Sequence, residues 1–288
     1  MTTADGTSFV GGLLTQVKPT FMAPAVGMSV FGGLLAPSVS LWSGSLHAAA
    51  VASALYTAHV VDEYVDAHLR GEEPPALSLR RTQFAIVLAS LCCLSLAGLL
   101  ALDSSVAAAG SVVVLWVLAI LHAPILDTNP VGVTIDYPVG IALALVGGYL
   151  AQESSLAQSV VAIGVLFVVI LSGVKVSIDR TDIEFDERID KRTIPVVLGE
   201  RRARVVSAAL FLSSAVLVAV LVTQSTLPRT ALASVPVLLG GGVVAFDSVA
   251  ERVVVRQMVL VYPVTAVLFV AACPTTSCTV EPLLSGLS

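Results

Sequence analysis

Residues 156–186 read LAQSVVAIGVLFVVILSGVKVSIDRTDIEFD. An apolar run long enough to cross a bilayer stops abruptly in a cluster of carboxylates. A spanning helix needs about 20 mostly apolar residues, and 156–177 supplies them. The cluster that follows puts Asp179, Asp182 and Asp186 at spacings i, i+3 and i+7, one stripe of an α-helix. Carboxylates next to such segments are costly, roughly 2.5–3.5 kcal/mol each at a helix centre and less near its ends. A chain that carries several of them in register uses them.

The arrangement occurs twice. His59-Val-Val-Asp62-Glu63-Tyr-Val-Asp66 closes the apolar run 41–61, and His59, Asp62 and Asp66 repeat the same spacing. Apolar helix, acidic cluster, polar loop with basic residues and next helix recur at 41–81 and 156–204, a weak internal repeat that suggests two facing half-sites.

Composition sets the class. The 288 residues are 56% hydrophobic and 12% charged, with a mean hydropathy of +0.94; soluble domains carry about 25% charged residues. Apolar runs occupy roughly 20–37, 41–61, 82–102, 105–123, 131–151, 156–177, 204–223, 230–249 and 256–273. The expected fold is all-α: a polytopic membrane bundle of about nine transmembrane helices. It forms a single domain over 1–288, with a polar segment at 1–17 and polar loops at 67–81 and 179–203. Residues 1–17 lack a basic stretch and read as no cleavable signal peptide, so the first span would target the chain. With nine spans and a cytoplasmic N-terminus, fourteen of the 15 basic residues fall on one side and only Arg229 on the other. That bias places both Asp-rich helix ends on the cytoplasmic face of a prokaryotic plasma membrane, where they can share a pocket. The adjacent Cys92 and Cys93 read as small buried residues, and Cys273 and Cys278 could pair on an oxidising face.

Mg²⁺ takes oxygen ligands and is usually held by one or two carboxylates plus substrate phosphates. Two acidic stripes therefore suit a diphosphate held between metal ions. Arg70, Arg188, Lys191 and Arg192, just downstream, suit phosphate oxygens.

The second cluster continues as Asp186-Glu-Arg-Ile-Asp190-Lys191-Arg192-Thr193-Ile-Pro195-Val-Val-Leu-Gly199. It resembles the second signature of the UbiA superfamily of intramembrane prenyltransferases, close to DxxDxxxDxxxGKRTLPVxLG, with Asp190 where the family usually has Gly. The first cluster resembles the other signature, NDxxDxxxD. Asp62 and Asp66 match its last two acids, Ala58 stands at the Asn, and His59 where Asp is frequent. Lys18-Pro19 is similar to the family's basic-Pro entry to its first helix.

The resemblance implies a polytopic prenyltransferase with Asp62, Asp66, Asp179, Asp182 and Asp186 as its catalytic acids. Of these, Asp62, Asp66, Asp182 and Asp186 would ligate Mg²⁺, with Asp179 as a further candidate. Lys18, Arg70, Arg188, Lys191 and Arg192 would bind diphosphate. Neutralising the leaving diphosphate lets the allylic C–O bond ionise, and an aromatic or lipid-phase acceptor captures the cation. The partners implied are a polyprenyl diphosphate donor, that acceptor and membrane lipids, with no nucleic acid. Acceptors across the superfamily include quinone precursors, ether lipids, porphyrins and carotenoids.

Two departures matter. His59 supplies imidazole, which suits other metals better than Mg²⁺, and reads as an acceptor-side group with His122, Asp136 and Tyr137. The connector at 122–136 lacks the basic residues that the family carries there. A transporter using intramembrane carboxylates as ion sites, or a family member without activity, are the alternatives. Transporters place such residues near the bilayer midplane, unlike the helix-end placement here. Two smaller features read as packing and anchoring: Gly240-Gly241-Gly242 inside a span, and Tyr149 at a membrane interface.

Overall fold

Each of the nine apolar runs coincides with helix. The structure is a computed structural model and describes residues 9–72, 74–189 and 191–273. Helices α1 (Phe9–Thr15), α2 (Pro19–Leu34) and α3 (Leu41–Glu63) come first, and α3 continues as a π-helix over Tyr64–Arg70. Then come α4 (Leu79–Asp103), α5 (Val106–Leu121), a 3₁₀ turn at Leu126–Thr128 and α6 (Gly132–Leu150). The rest is α7 (Gln158–Asp179), α8 (Ile183–Arg188), α9 (Ile194–Leu198), α10 (Glu200–Thr223), α11 (Val235–Val244, entered through a 3₁₀ segment at Arg229–Ser234) and α12 (Ala250–Ala272). No strand occurs among the described residues.

Local chemistry sets several boundaries. Ser40 and Ser105 cap α3 and α5 by accepting the N–H groups of Ser43 and Ala108. Gly71, at φ +68°, ends the π-helix in the left-handed conformation that side chains resist. Five helices are long and apolar enough to cross a membrane: α4, α6, α7, α10 and α12. Pro19–Leu34, Val106–Leu121 and Arg229–Val244 are apolar but shorter. The 23 residues of α3 include Ser43, His47, Ser53, Thr57 and His59, which lower its hydropathy. The loops expected at 67–81 and 179–203 are more helical than their polarity suggested. The π-helix extends to Arg70, while α8 and α9 occupy much of the second segment.

The chain divides into two compact units. The first comprises 1–33, 40–128 and 143–154; the second comprises 34–39, 129–142 and 155–288. In the first, α3 packs on α4 and α5. Small residues let α2 and α6 approach closely. A methyl on Gly148 would overlap the Ser29 carbonyl oxygen, and one on Gly32 the Leu145 carbonyl oxygen. Beside this contact the fully buried His47 bonds Ser29 at 2.7 Å. Tyr149 is buried near the end of α6. Cys93 is buried as expected but Cys92 is exposed, because adjacent residues on a helix point about 100° apart. Cys278 lies outside the described residues.

In the second unit α10 packs on α7 and α11, and α12 on α7 and α11. Gly241, in the triple-glycine run, faces the Phe211 ring with no room for a methyl, so that run serves helix packing as expected. A buried polar seam of Ser177, Ser207 and Gln257 links α7, α10 and α12.

Candidate functional site

Each unit carries one acidic half-site, and the helical geometry differs from the expected stripes in both.

In the first unit, Asp62 stands in the last turn of α3 with His59 Nδ1 and His122 Nε2 each 3.8 Å from its carboxylate. Two of the four residues expected on the acceptor side thus flank one acid. Asp62 Oδ1 and both ring nitrogens of His59 are buried with no hydrogen-bond partner among the described residues. Such orphaned atoms are costly unless something binds them. Lys18, exposed just before α2, is near enough for its charge to act on Asp62. Asp66 does not continue the α-helical stripe, since it sits in the π-helix, where the turn is wider. Burial pushes its carboxyl up to about 6, reinforced by the charges of Asp62, Glu72 and Asp127 and opposed by Arg70.

Arg70 is the hub of this half-site. It pairs with Asp66 at 3.3 Å and Asp127 at 3.4 Å, reaches Glu72 at 3.8 Å, and donates to the Ala123 carbonyl at 2.8 Å. The connector at 122–136 has no basic residue, but Arg70 brings a cation to it. Asp127, buried in the 3₁₀ turn, was not expected at the site. Its contact with Arg70 spans 57 residues of sequence, so no local pattern signals it.

In the second unit the continuous stripe is broken. Helix α7 ends at Asp179, a tight turn follows, and Asp182 stands at the N-cap of α8. Asp179 is buried and paired with Lys175 one turn earlier. Their i, i+4 spacing was a readable signal for this ion pair. Asp182 is exposed. Asp186 is buried and accepts a hydrogen bond from Thr193 Oγ1 at 3.1 Å. Burial raises its carboxyl above the usual range, while the Lys191 charge and the Thr193 hydroxyl oppose the shift.

The remaining basic residues divide. Lys191 lies close to Asp186, Arg192 is exposed, and Arg188 lies over the Phe185 ring at 5.6 Å and donates to the Glu184 carbonyl. Asp190 lies outside the described residues. Asp136 is buried near the start of α6, where its carboxylate accepts the Tyr137 N–H at 2.6 Å; both belong to the second unit, unlike His59 and His122.

Among the described residues no group of three or more His, Cys, Asp or Glu side chains is close enough to hold a metal ion by itself. Mg²⁺ usually takes one or two carboxylates and completes its shell with substrate phosphate oxygens and water. The carboxylate oxygens of Asp62, Asp66, Asp182 and Asp186 are the right donor type, and the orphaned Asp62 Oδ1 is the strongest sign of an absent ligand.

Long apolar helices bearing acidic ends define an all-helical integral membrane protein. The model of the UbiA prenyltransferase family matches residues 20–257, and the chain belongs to that family. Solved structures share the fold at low identity. One, described as giving insight into digeranylgeranylglyceryl phosphate synthase in membranes, has a TM-score of 0.73 at 14% identity, covering 92% of this chain and 99% of that one. A UbiA homologue from Aeropyrum pernix K1 has a TM-score of 0.68 at 18% identity, with 88% and 96% covered. A UbiA homologue from Archaeoglobus fulgidus bound to GPP and Mg²⁺ has a TM-score of 0.68 at 15% identity, with 91% and 98% covered. No curated protein matches the chain.

Proposed function

We propose that this chain is an intramembrane prenyltransferase. It moves a polyprenyl group from its diphosphate to an aromatic or lipid acceptor, with Mg²⁺ as cofactor, and the whole chain acts as one catalytic domain. The observation that carries this reading is the acidic half-site in each unit, one with an unpartnered buried carboxylate oxygen, in a chain of the UbiA family.

Bound Mg²⁺ supplies Lewis-acid neutralisation of the leaving diphosphate. The protein's own groups do the rest. Asp62, Asp66, Asp182 and Asp186 would provide oxygens to bound metal, with Asp179, paired with Lys175, as a further candidate. Arg70 is held by Asp66, Asp127 and the Ala123 carbonyl. Its guanidinium would serve phosphate oxygens beside Lys18, Lys191, Arg192 and Arg188. The apolar interior holds the prenyl tail and excludes water from the allylic cation. His59 and His122, beside Asp62, and Asp136 with Tyr137 are the acceptor-side groups. The nine helical runs cross the membrane, and the one-sided basic residues support acids facing the cytoplasm of a prokaryotic plasma membrane.

The test is transfer itself. Purified protein in lipid is incubated with labelled geranylgeranyl diphosphate, Mg²⁺ and candidate acceptors. Magnesium-dependent transfer, lost in Asp182→Ala, is the expected outcome. Donor binding without turnover on any acceptor would mark an inactive member, and no donor binding would overturn the enzyme reading.

A further inference from the structure

Between two of the acids sits a cation that faces away from solvent. Arg180 follows Asp179 and precedes Asp182 by two residues, and its side chain has 0% exposure. It is one of the fourteen basic residues that the charge bias puts on one side of the membrane, and its side chain is buried. Its guanidinium donates to the Ala245 carbonyl at 3.2 Å, the Asp247 carbonyl at 3.1 Å and Glu200 Oε1 at 3.2 Å. The carbonyls belong to the turn that follows α11, and Glu200 opens α10. One side chain therefore ties the α7–α8 turn to the end of α11 and the start of α10.

Burying a charge costs several kcal/mol before its partners are counted. Here Glu200 is the carboxylate that meets the cation and is shared with Arg204 at 2.5 Å, and a positive charge one residue from Asp179 opposes a second cation there. Coulomb's law alone makes Arg180 unfavourable for metal binding. Geometry gives the opposite sign. The turn itself is tight: Thr181 N–H and Oγ1 both donate to the Ile178 carbonyl, at 2.8 and 2.7 Å. Its middle residue is fixed by three acceptors from two other elements. The spacing of Asp179 and Asp182 is thereby set before any ligand arrives.

We propose that Arg180 is a positioning residue that holds Asp179 and Asp182 in metal-binding register by anchoring their turn to the α10 and α11 ends. The inference rests on the metal-dependent reading above. Removing a mere neighbouring cation would tighten metal binding, whereas removing an anchor weakens it, so the sign of the change separates the two roles.

The experiment titrates purified wild-type protein with Mn²⁺ in the presence of inorganic pyrophosphate, reading free Mn²⁺ by electron paramagnetic resonance. Arg180→Met, which removes the charge, and Arg180→Lys, which keeps it but cannot reach three acceptors, are compared, with thermal midpoints recorded alongside. Both variants are expected to bind Mn²⁺ about 10-fold to 100-fold more weakly, the usual effect of losing a support behind a metal ligand, at midpoints close to wild type. Unchanged or tighter binding in Arg180→Met overturns the proposal. So does failure of both variants to fold, which would make Arg180 a folding brace. Asp182→Ala is the control. If it loses Mn²⁺ while the Arg180 variants keep it, only the positioning role fails; if it binds like wild type, the metal-site reading fails and this inference with it.

Discussion

At the residue scale, the protonation of Asp66 governs how it can meet a metal. Asp66 is partly buried among like charges and carries its proton up to about pH 6. A metal must displace that proton. In metal-free protein the Mn²⁺ dissociation constant is therefore expected to rise as pH falls below about 6, by at most about tenfold per pH unit, and to be flat above 7; isothermal titration across pH 5–8 checks this. The stability sign is the reverse of the usual Asp case. Because the folded value lies above the ordinary 3.8, Asp66's own contribution to metal-free stability grows as pH falls from about 6 toward 4. Asp186 depends on one hydroxyl. Thr193→Val removes its donor inside a buried pocket, which is expected to destabilise the second unit by about 1–3 kcal/mol, read as a lowered thermal midpoint in detergent.

At the scale of elements, sequence spacing identified helices more reliably than it identified helical stripes. Asp62 and Asp66 are four apart, but a π-helix begins between them. Asp179 and Asp182 are three apart, but α7 stops at the first and α8 starts after the second. Periodicity assumes an unbroken α-helix, and both acidic ends violate it at the residues proposed to function, as π-segments and helix breaks commonly do. The α2–α6 contact offers a cleaner test of helix packing. Gly148→Ala would push a methyl into the Ser29 backbone oxygen, and neither backbone can yield cheaply. A loss of about 1–3 kcal/mol is expected, whereas Gly98→Ala, which meets nothing within 4 Å, is expected to leave the midpoint unchanged or raise it.

At the scale of the whole molecule, the charge distribution predicts topology. Single cysteines at positions 81 and 202, in a background with the native cysteines replaced, are expected to react with an impermeant maleimide only from the cytoplasmic side, and one at 229 only from the other. Labelling of position 229 together with 81 would remove the orientation argument. The two units also make a joint prediction. Asp62→Asn in the first and Asp182→Asn in the second are each expected to cut prenyl transfer by about 100-fold or more, the scale seen when one charge-stabilising group is lost.

The sequence by itself determined the helical membrane class, the positions of nine helical runs and the identities of the acids. These follow from composition, run length and side-chain type, which are local properties. The KRT-x-PVxLG tail after Asp186 carried the family resemblance because its residue types are contiguous. Only the tertiary structure decided which charges are spent on other protein groups. Arg70 is bound by Asp127 from 57 residues away, and Arg180 by carbonyls 65 and 67 residues later in the chain. Such pairings depend on where distant segments meet, and an ion or hydrogen-bond partner is chosen by distance in space, which one-dimensional spacing does not encode.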